Sequence, residues 1–101
     1  MENPIADGLH YCGTSIDLEF FADGRLHRRR YMLVLANDVD YVFYLVCISG
    51  YYSGYISGVV ENDESIENAR AVTLEHLMKQ LVRNFGVDVK VLSIRESPDE
   101  I

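Results

Sequence analysis

A chain of 101 residues, 49% hydrophobic and 25% charged, fits one globular domain with enough apolar material for a genuine core. A net charge of −7 and a pI near 4.7 argue against generic nucleic-acid binding, which needs positive surface to displace counterions. They suit steering toward a basic protein partner. Two cysteines, Cys12 and Cys47, exclude a disulfide framework. No apolar run approaches the length of about 20 residues needed to span a membrane, and no basic-then-apolar leader opens the sequence, so a cytoplasmic setting is expected.

Residues 1–13 read as an irregular N-terminal arm, punctuated by Asn3-Pro4, Asp7-Gly8 and Gly13. His10 and Cys12 lie in it without the further ligands that zinc requires, so no metal or cofactor is expected. Ser15 to Ala22 alternates, with Ile16, Leu18 and Phe20 on one face and Asp17 and Glu19 on the other. Asp23-Gly24 is a strong hairpin signal, returning into a strand from Arg25 to Ala36 that opens with Arg25, His27, Arg28, Arg29 and Arg30. A two-residue turn places Glu19 opposite Arg28 and Asp17 opposite Arg30, and puts His27 and Arg29 beside Phe20 and Leu18. A three-residue turn reverses that parity.

Asn37-Asp38 marks the next turn, and Val39 to Ile48 is apolar on both faces, as in a central strand. With two turn residues, Met32 and Val34 oppose Phe43 and Tyr41. A single amphipathic helix covers one sheet face, which leaves Met32, Val34, Tyr41 and Phe43 as a candidate interface on the other. A homodimer or a protein partner would cover them. Ser49 to Val60, SGYYSGYISGVV, has two readings. It is a bent strand pair whose glycines admit a closely packed helix, or a recognition loop anchored by tyrosines.

An acidic link from Glu61 to Ser65 leads to a helix ending at Phe85, with Leu74, Leu77, Met78, Leu81, Val82 and Phe85 in one stripe. Its start is open between Ser65 and Thr73. His76, Gln80 and Arg83 read as solvated, and Gly86 as the stop. Val87 to Arg95 supplies the last strand, and residues 96–101 an acidic tail. The expected fold is therefore a single α+β domain over 14–95. It is a mainly antiparallel sheet of four to five strands, in chain order β-β-β-(β)-α-β, with one helix on one face.

No nucleophile–base pair, GxGxxG pattern or P-loop lysine is present, so no catalytic residue is named and an enzyme is not expected. The leading expectation is a non-enzymatic protein-binding module. By analogy of size and charge alone, it would be a small acidic inhibitor of immunity-protein type that neutralises a basic partner such as a toxin nuclease. Tyr51, Tyr52 and Tyr55 are the expected anchors, with Glu61, Asp63, Glu64 and Glu67 steering the partner. One alternative is a small nucleic-acid-binding domain using Arg28, Arg29 and Arg30 with the tyrosines; its opposing features are the net charge and the cross-strand acids. Another is a small-molecule-processing enzyme of unspecified reaction. A deep pocket gathering His27, Arg29 and a carboxylate would favour chemistry or a small ligand, whereas a flat acidic face with exposed tyrosines would favour a protein.

Overall fold

The alternation of Ser15–Ala22 and the Asp23-Gly24 turn build the first hairpin of the sheet. A computed structural model describes residues 8–67 and 70–96; the rest of the expected arm (1–7) and tail (97–101) lies outside the described residues. β1 is Leu9–Tyr11, β2 Ser15–Ala22, β3 Arg25–Leu35, β4 Tyr41–Cys47, β5 Ile56–Glu61, β6 Ala71–Thr73, α1 Leu74–Phe85 and β7 Lys90–Arg95. A five-stranded antiparallel sheet has the order β5-β4-β3-β2-β7, and β1 pairs with β6 in a separate two-stranded ladder. This is the expected α+β architecture. Among the described residues, no helix is long and apolar enough to cross a membrane.

The two-residue turn sets the first hairpin: Ala22 faces Arg25, Glu19 faces Arg28 and Asp17 faces Arg30. Asp23 and Gly24 both adopt positive φ, at 56° and 75°, as a two-residue hairpin turn requires. Ile16, Leu18 and Phe20 consequently join Tyr31 and Leu33 in the core, with Leu77 and Leu81 from α1.

The second turn differs from expectation. Met32 faces Val46 and Val34 faces Tyr44, so the register is shifted by three residues from a two-residue turn at Asn37-Asp38. An odd shift exchanges the faces of a strand. Phe43, expected on the open face, is 0% exposed in the core with Leu45 and Cys47. The wider loop is held by side chains: Asp40 N donates to Asp38 Oδ1 at 2.7 Å and Asn62 Nδ2 to Val39 O at 2.7 Å. Met32 and Val34 remain on the second face, joined by Tyr44, Val46 and Val59, and all five are half-buried. Tyr41, opposite Glu61, is half-buried as well.

The helix starts at the later of the two candidate caps. Thr73 Oγ1 accepts from His76 N at 3.2 Å, and Gly86 closes the other end at φ 100°, its N–H donating to Val82 O. The segment before Thr73 becomes β6. Part of the supposed irregular arm, Leu9–Tyr11, pairs with it, because backbone left unpaired there would be buried with His10. His10 Nδ1–H donates to Glu96 Oε2 at 2.9 Å, and Thr14 Oγ1 donates to Glu96 Oε1 at 3.2 Å. These bonds tie the start of the described chain to its end.

One flank of α1 serves as a sixth strand. His76 Nε2–H donates to Glu61 O at 2.8 Å, and Gln80 Oε1 accepts from Glu61 N at 3.1 Å. The Asn84 amide donates to Val59 O at 2.9 Å and accepts from Val59 N at 3.3 Å. Three side chains spaced four residues apart thus satisfy the outer edge of β5, which would otherwise offer unpaired backbone to another strand. His76 and Gln80 are therefore not solvated as their polarity suggests; Gln80 is 5% exposed. This close approach depends on Gly58, where an added Cβ would lie 2.5 Å from Asn84 Oδ1 and 3.2 Å from Leu45 Cδ1. Gly58→Ala is expected to destabilise the fold by about 1–2 kcal/mol through displacement of Asn84, read as a lower midpoint in urea unfolding.

Candidate functional site

Large apolar side chains that stay exposed concentrate at one end of the sheet. Phe21 and Leu26 pair across the tip of the β2–β3 hairpin, Tyr51, Tyr52 and Tyr55 lie on the neighbouring loop, and Ile56 begins β5 beside it. Tyr51 is 90% exposed and Tyr55 64%. Met32, Val34, Tyr44, Val46 and Val59, further along the second face, are each half-buried and so less exposed than these six residues.

The loop is ordered by its own backbone. Gly50–Tyr52 forms a single 3-10 turn, Gly54 N donates to Cys47 O at 2.7 Å, and Cys47 N donates to Tyr55 O at 3.0 Å. Gly50 and Gly54 sit at φ 71° and 92°, where a side chain would be strained. Ser49 Oγ accepts from Arg30 N at 2.9 Å, clamping the loop to β3. So 49–55 is a loop and 56–61 a single strand paired with β4. The rings of Tyr51 and Tyr52 meet edge-on at 5.1 Å, and Tyr52 and Tyr55 lie 6.1 Å apart.

Beneath this loop opens a cleft of about 400 Å³. Phe20, Tyr31 and Phe85 form an aromatic cluster in its lining, with ring centroids 4.9 Å (Phe20–Phe85) and 5.1 Å (Tyr31–Phe85) apart. Burial pushes the Tyr31 phenol above its ordinary pKa. His27 stacks on Phe20 at 5.5 Å, donates from Nε2 to Ala22 O at 3.2 Å, and accepts at Nδ1 from Arg29 Nη2 at 3.2 Å. A guanidinium offers only donors, so this network assigns His27 the neutral Nε2–H tautomer. Arg29 also lies 4.8 Å over the Tyr52 ring, a cation–π contact. Asp23 lines the same cleft, so His27, Arg29 and a carboxylate gather there, though Asp23 makes no ion pair among the described residues.

The other two arginines of the run point to the opposite face and carry partners. Arg28 Nε donates to Glu19 Oε2 at 2.9 Å. Arg30 donates to Asp17 through Nε at 2.6 Å and Nη2 at 3.3 Å. The Arg30 hydrogen bond holds the Asp17 carboxyl below its usual range against the opposing effect of burial, helped by Ser93 Oγ at 2.9 Å.

The acids expected to steer a partner beside the tyrosines are elsewhere. β5 runs from Ile56, next to the loop, to Glu61 at the far end, a span of roughly 17 Å at strand rise. Glu61 pairs with Arg83 at 2.8 Å; Glu64 and Glu67 are exposed beyond it. Asp63 is turned inward. It is 9% exposed and accepts from Ser65 N, Ser65 Oγ, Thr73 N and Thr73 Oγ1 at 2.6–3.0 Å. Burial alone would push its carboxyl up, but the four donors outweigh that and hold it far below the ordinary range. The acids therefore form a separate pole with Asp38 and Asp40, whose loop the 61–63 segment touches through Asn62 N to Asp40 O.

The chain matched no protein-family model, no curated protein and no solved structure. Phe21, Leu26 and Ile56 join the surface without having stood out in the sequence. The signal for Phe21 and Leu26 was two apolar residues one position out from the Asp-Gly turn, on the face otherwise given to charge.

Proposed function

We propose that this chain is a non-enzymatic protein-binding module that meets its partner through the tyrosine end. The carrying observation is the group of exposed aromatic and aliphatic side chains around Tyr51, Tyr52 and Tyr55, on a loop already fixed by backbone hydrogen bonds. Rigid tyrosines beside arginine have the composition of interface hot spots, and preorganisation reduces the entropy lost on binding. The finer reading is an inhibitor of immunity-protein type, directed at a basic protein such as a toxin nuclease. Its support is the charge of −7 and the acidic pole at Asp38, Asp40, Glu64 and Glu67, which attracts a basic partner from a distance. Pairing of Arg28 and Arg30 with Glu19 and Asp17 lowers repulsion at the contact end.

Affinity capture from the native host tests the reading. Wild type is expected to retain a basic protein whose nuclease activity falls on adding the chain. The triple variant Tyr51→Ala, Tyr52→Ala, Tyr55→Ala should retain it at least about tenfold less well with an unchanged melting profile. Equal retention by a folded triple variant sinks the tyrosine anchors, and undiminished nuclease activity sinks the inhibitor.

A further inference from the structure

We infer that the cleft beneath the tyrosine loop is a binding site for a monocarboxylate with an aromatic or aliphatic body, whose carboxylate pairs with Arg29. Three observations converge on it. The cleft volume, about 400 Å³, falls in the range of small-ligand sites, and its walls include Phe20, Tyr31, Phe85, Tyr52 and Tyr55. Such walls favour an apolar, and best a flat, ligand body.

Arg29 supplies the charge. Of three consecutive arginines, Arg28 and Arg30 each hold a carboxylate, whereas Arg29 is half-buried and makes no ion pair among the described residues. Its interactions are one hydrogen bond to a neutral imidazole and the face of Tyr52. A guanidinium partly removed from water without a counter-ion gains more from an arriving anion than a fully solvated one does.

The third observation narrows the anion. One planar guanidinium matches the two oxygens of a carboxylate. A phosphate dianion calls for more positive charge than the cleft offers: Arg29 is the one lysine or arginine among its described lining residues, and Asp23 lines the site. His27 acts as a positioning residue, fixing the guanidinium from one side while Tyr52 covers it from the other.

The site shares Tyr52 and Tyr55 with the proposed protein contact but is tested without any partner, so either idea can fail alone. The experiment is an amide and arginine side-chain NMR titration with 3-phenylpropionate, 3-phenylpropionamide and 3-phenylpropylamine, which share a body and differ in charge. Saturable shifts are expected at His27, Arg29, Tyr52 and Tyr55 with the acid, with the amide and amine weaker by about tenfold or more. In Arg29→Met the acid should lose that advantage while the amide binds as before. Arg29→Lys, which keeps the charge and removes the fork, should fall between and guards against misfolding of the first variant. Absence of saturation by the acid at about 20 mM in wild type overturns the site, as does equal binding of acid and amine, or undiminished acid binding by either variant. To separate a free metabolite-like acid from a protein chain end, a peptide ending in a phenylalanine carboxylate is compared with its C-terminal amide. Acid-selective binding of the peptide assigns the site to a chain terminus. Binding of 3-phenylpropionate alone assigns it to a small molecule.

Discussion

Asp63→Ala is expected to lower stability by about 3–4 kcal/mol, because hydrogen bonds to a charged acceptor are the strong ones and their donors would be left unpaired. For a chain of this size that is a fall in melting temperature of about 15–25 °C. The carboxylate accepts from both Ser65 groups and both Thr73 groups, and Thr73 in turn caps α1 through His76 N, so one residue ties a loop to a helix start. The pH dependence has a definite sign. Asp63 is depressed in the folded state relative to an unfolded aspartate of about 3.9. Its contribution is therefore fully present above roughly pH 5 and fades as pH falls toward the folded value. Asp17, lowered in the same direction, acts in the same window. Melting temperatures from pH 7 to pH 2 should thus converge for wild type and variant at the acid end, with the variant's curve flatter. Parallel curves would show that shape, not charge, matters at Asp63. Asp63→Asn sharpens the comparison: it keeps the shape but turns an amide NH₂ toward two donors, and is expected to recover little of the loss.

Asn84→Ala should cost about 2–3 kcal/mol and make the chain associate in a concentration-dependent way. The stability loss follows from three hydrogen bonds, to Val59 N, Val59 O and Gln80 O. The association follows from what is uncovered, since β5 then presents free backbone groups to a second chain. Sedimentation velocity at rising concentration reads the second effect, and a strictly monomeric variant would show that the seal is not needed. A double-mutant cycle links the position to Gly58. The Cβ of Gly58→Ala collides with the Asn84 side chain, so in the Asn84→Ala background that substitution should lose most of its cost.

What could be read from sequence divides according to how local the deciding interaction is. The Asp23-Gly24 turn fixes its hairpin from two residues, and with it the cross-strand pairs Asp17–Arg30 and Glu19–Arg28 and the inward placement of His27 and Arg29. The turn before β4 is held partly by Asn62, more than twenty residues away in the chain, reaching Val39 O beside the local Asp38–Asp40 bond. Local turn chemistry therefore misplaced Phe43. Ser65 and Thr73 are both sound caps, and the choice rests on Asp63, which binds each of them. Polar residues on a helix read as solvated unless a strand edge lies beside them. The row His76, Gln80, Asn84 carried a usable signal in its four-residue spacing, but not the identity of its target. At the candidate site, the tyrosines were legible from composition. Their separation from Glu61, Glu64 and Glu67 follows from the length of β5, and the stacking of Tyr52 over Arg29 from closure of the 49–55 loop.

The place of β2 in the sheet has a consequence for how the chain assembles. Strands β2 to β5 form a meander in which every pairing joins consecutive strands, so each can close over a short loop as synthesis proceeds. The other side of β2 waits for β7, bringing Asp17 to Ser93 across 76 positions of sequence. Until that last strand emerges, a growing chain holds a finished ladder with β2 as its open border. That border carries Asp17 and Glu19, and their arginine partners are already in place on β3. Charged pairs along an unfinished edge discourage capture by a neighbouring nascent chain, so the same side chains that pair across the hairpin also guard the edge that closes over the longest stretch of sequence.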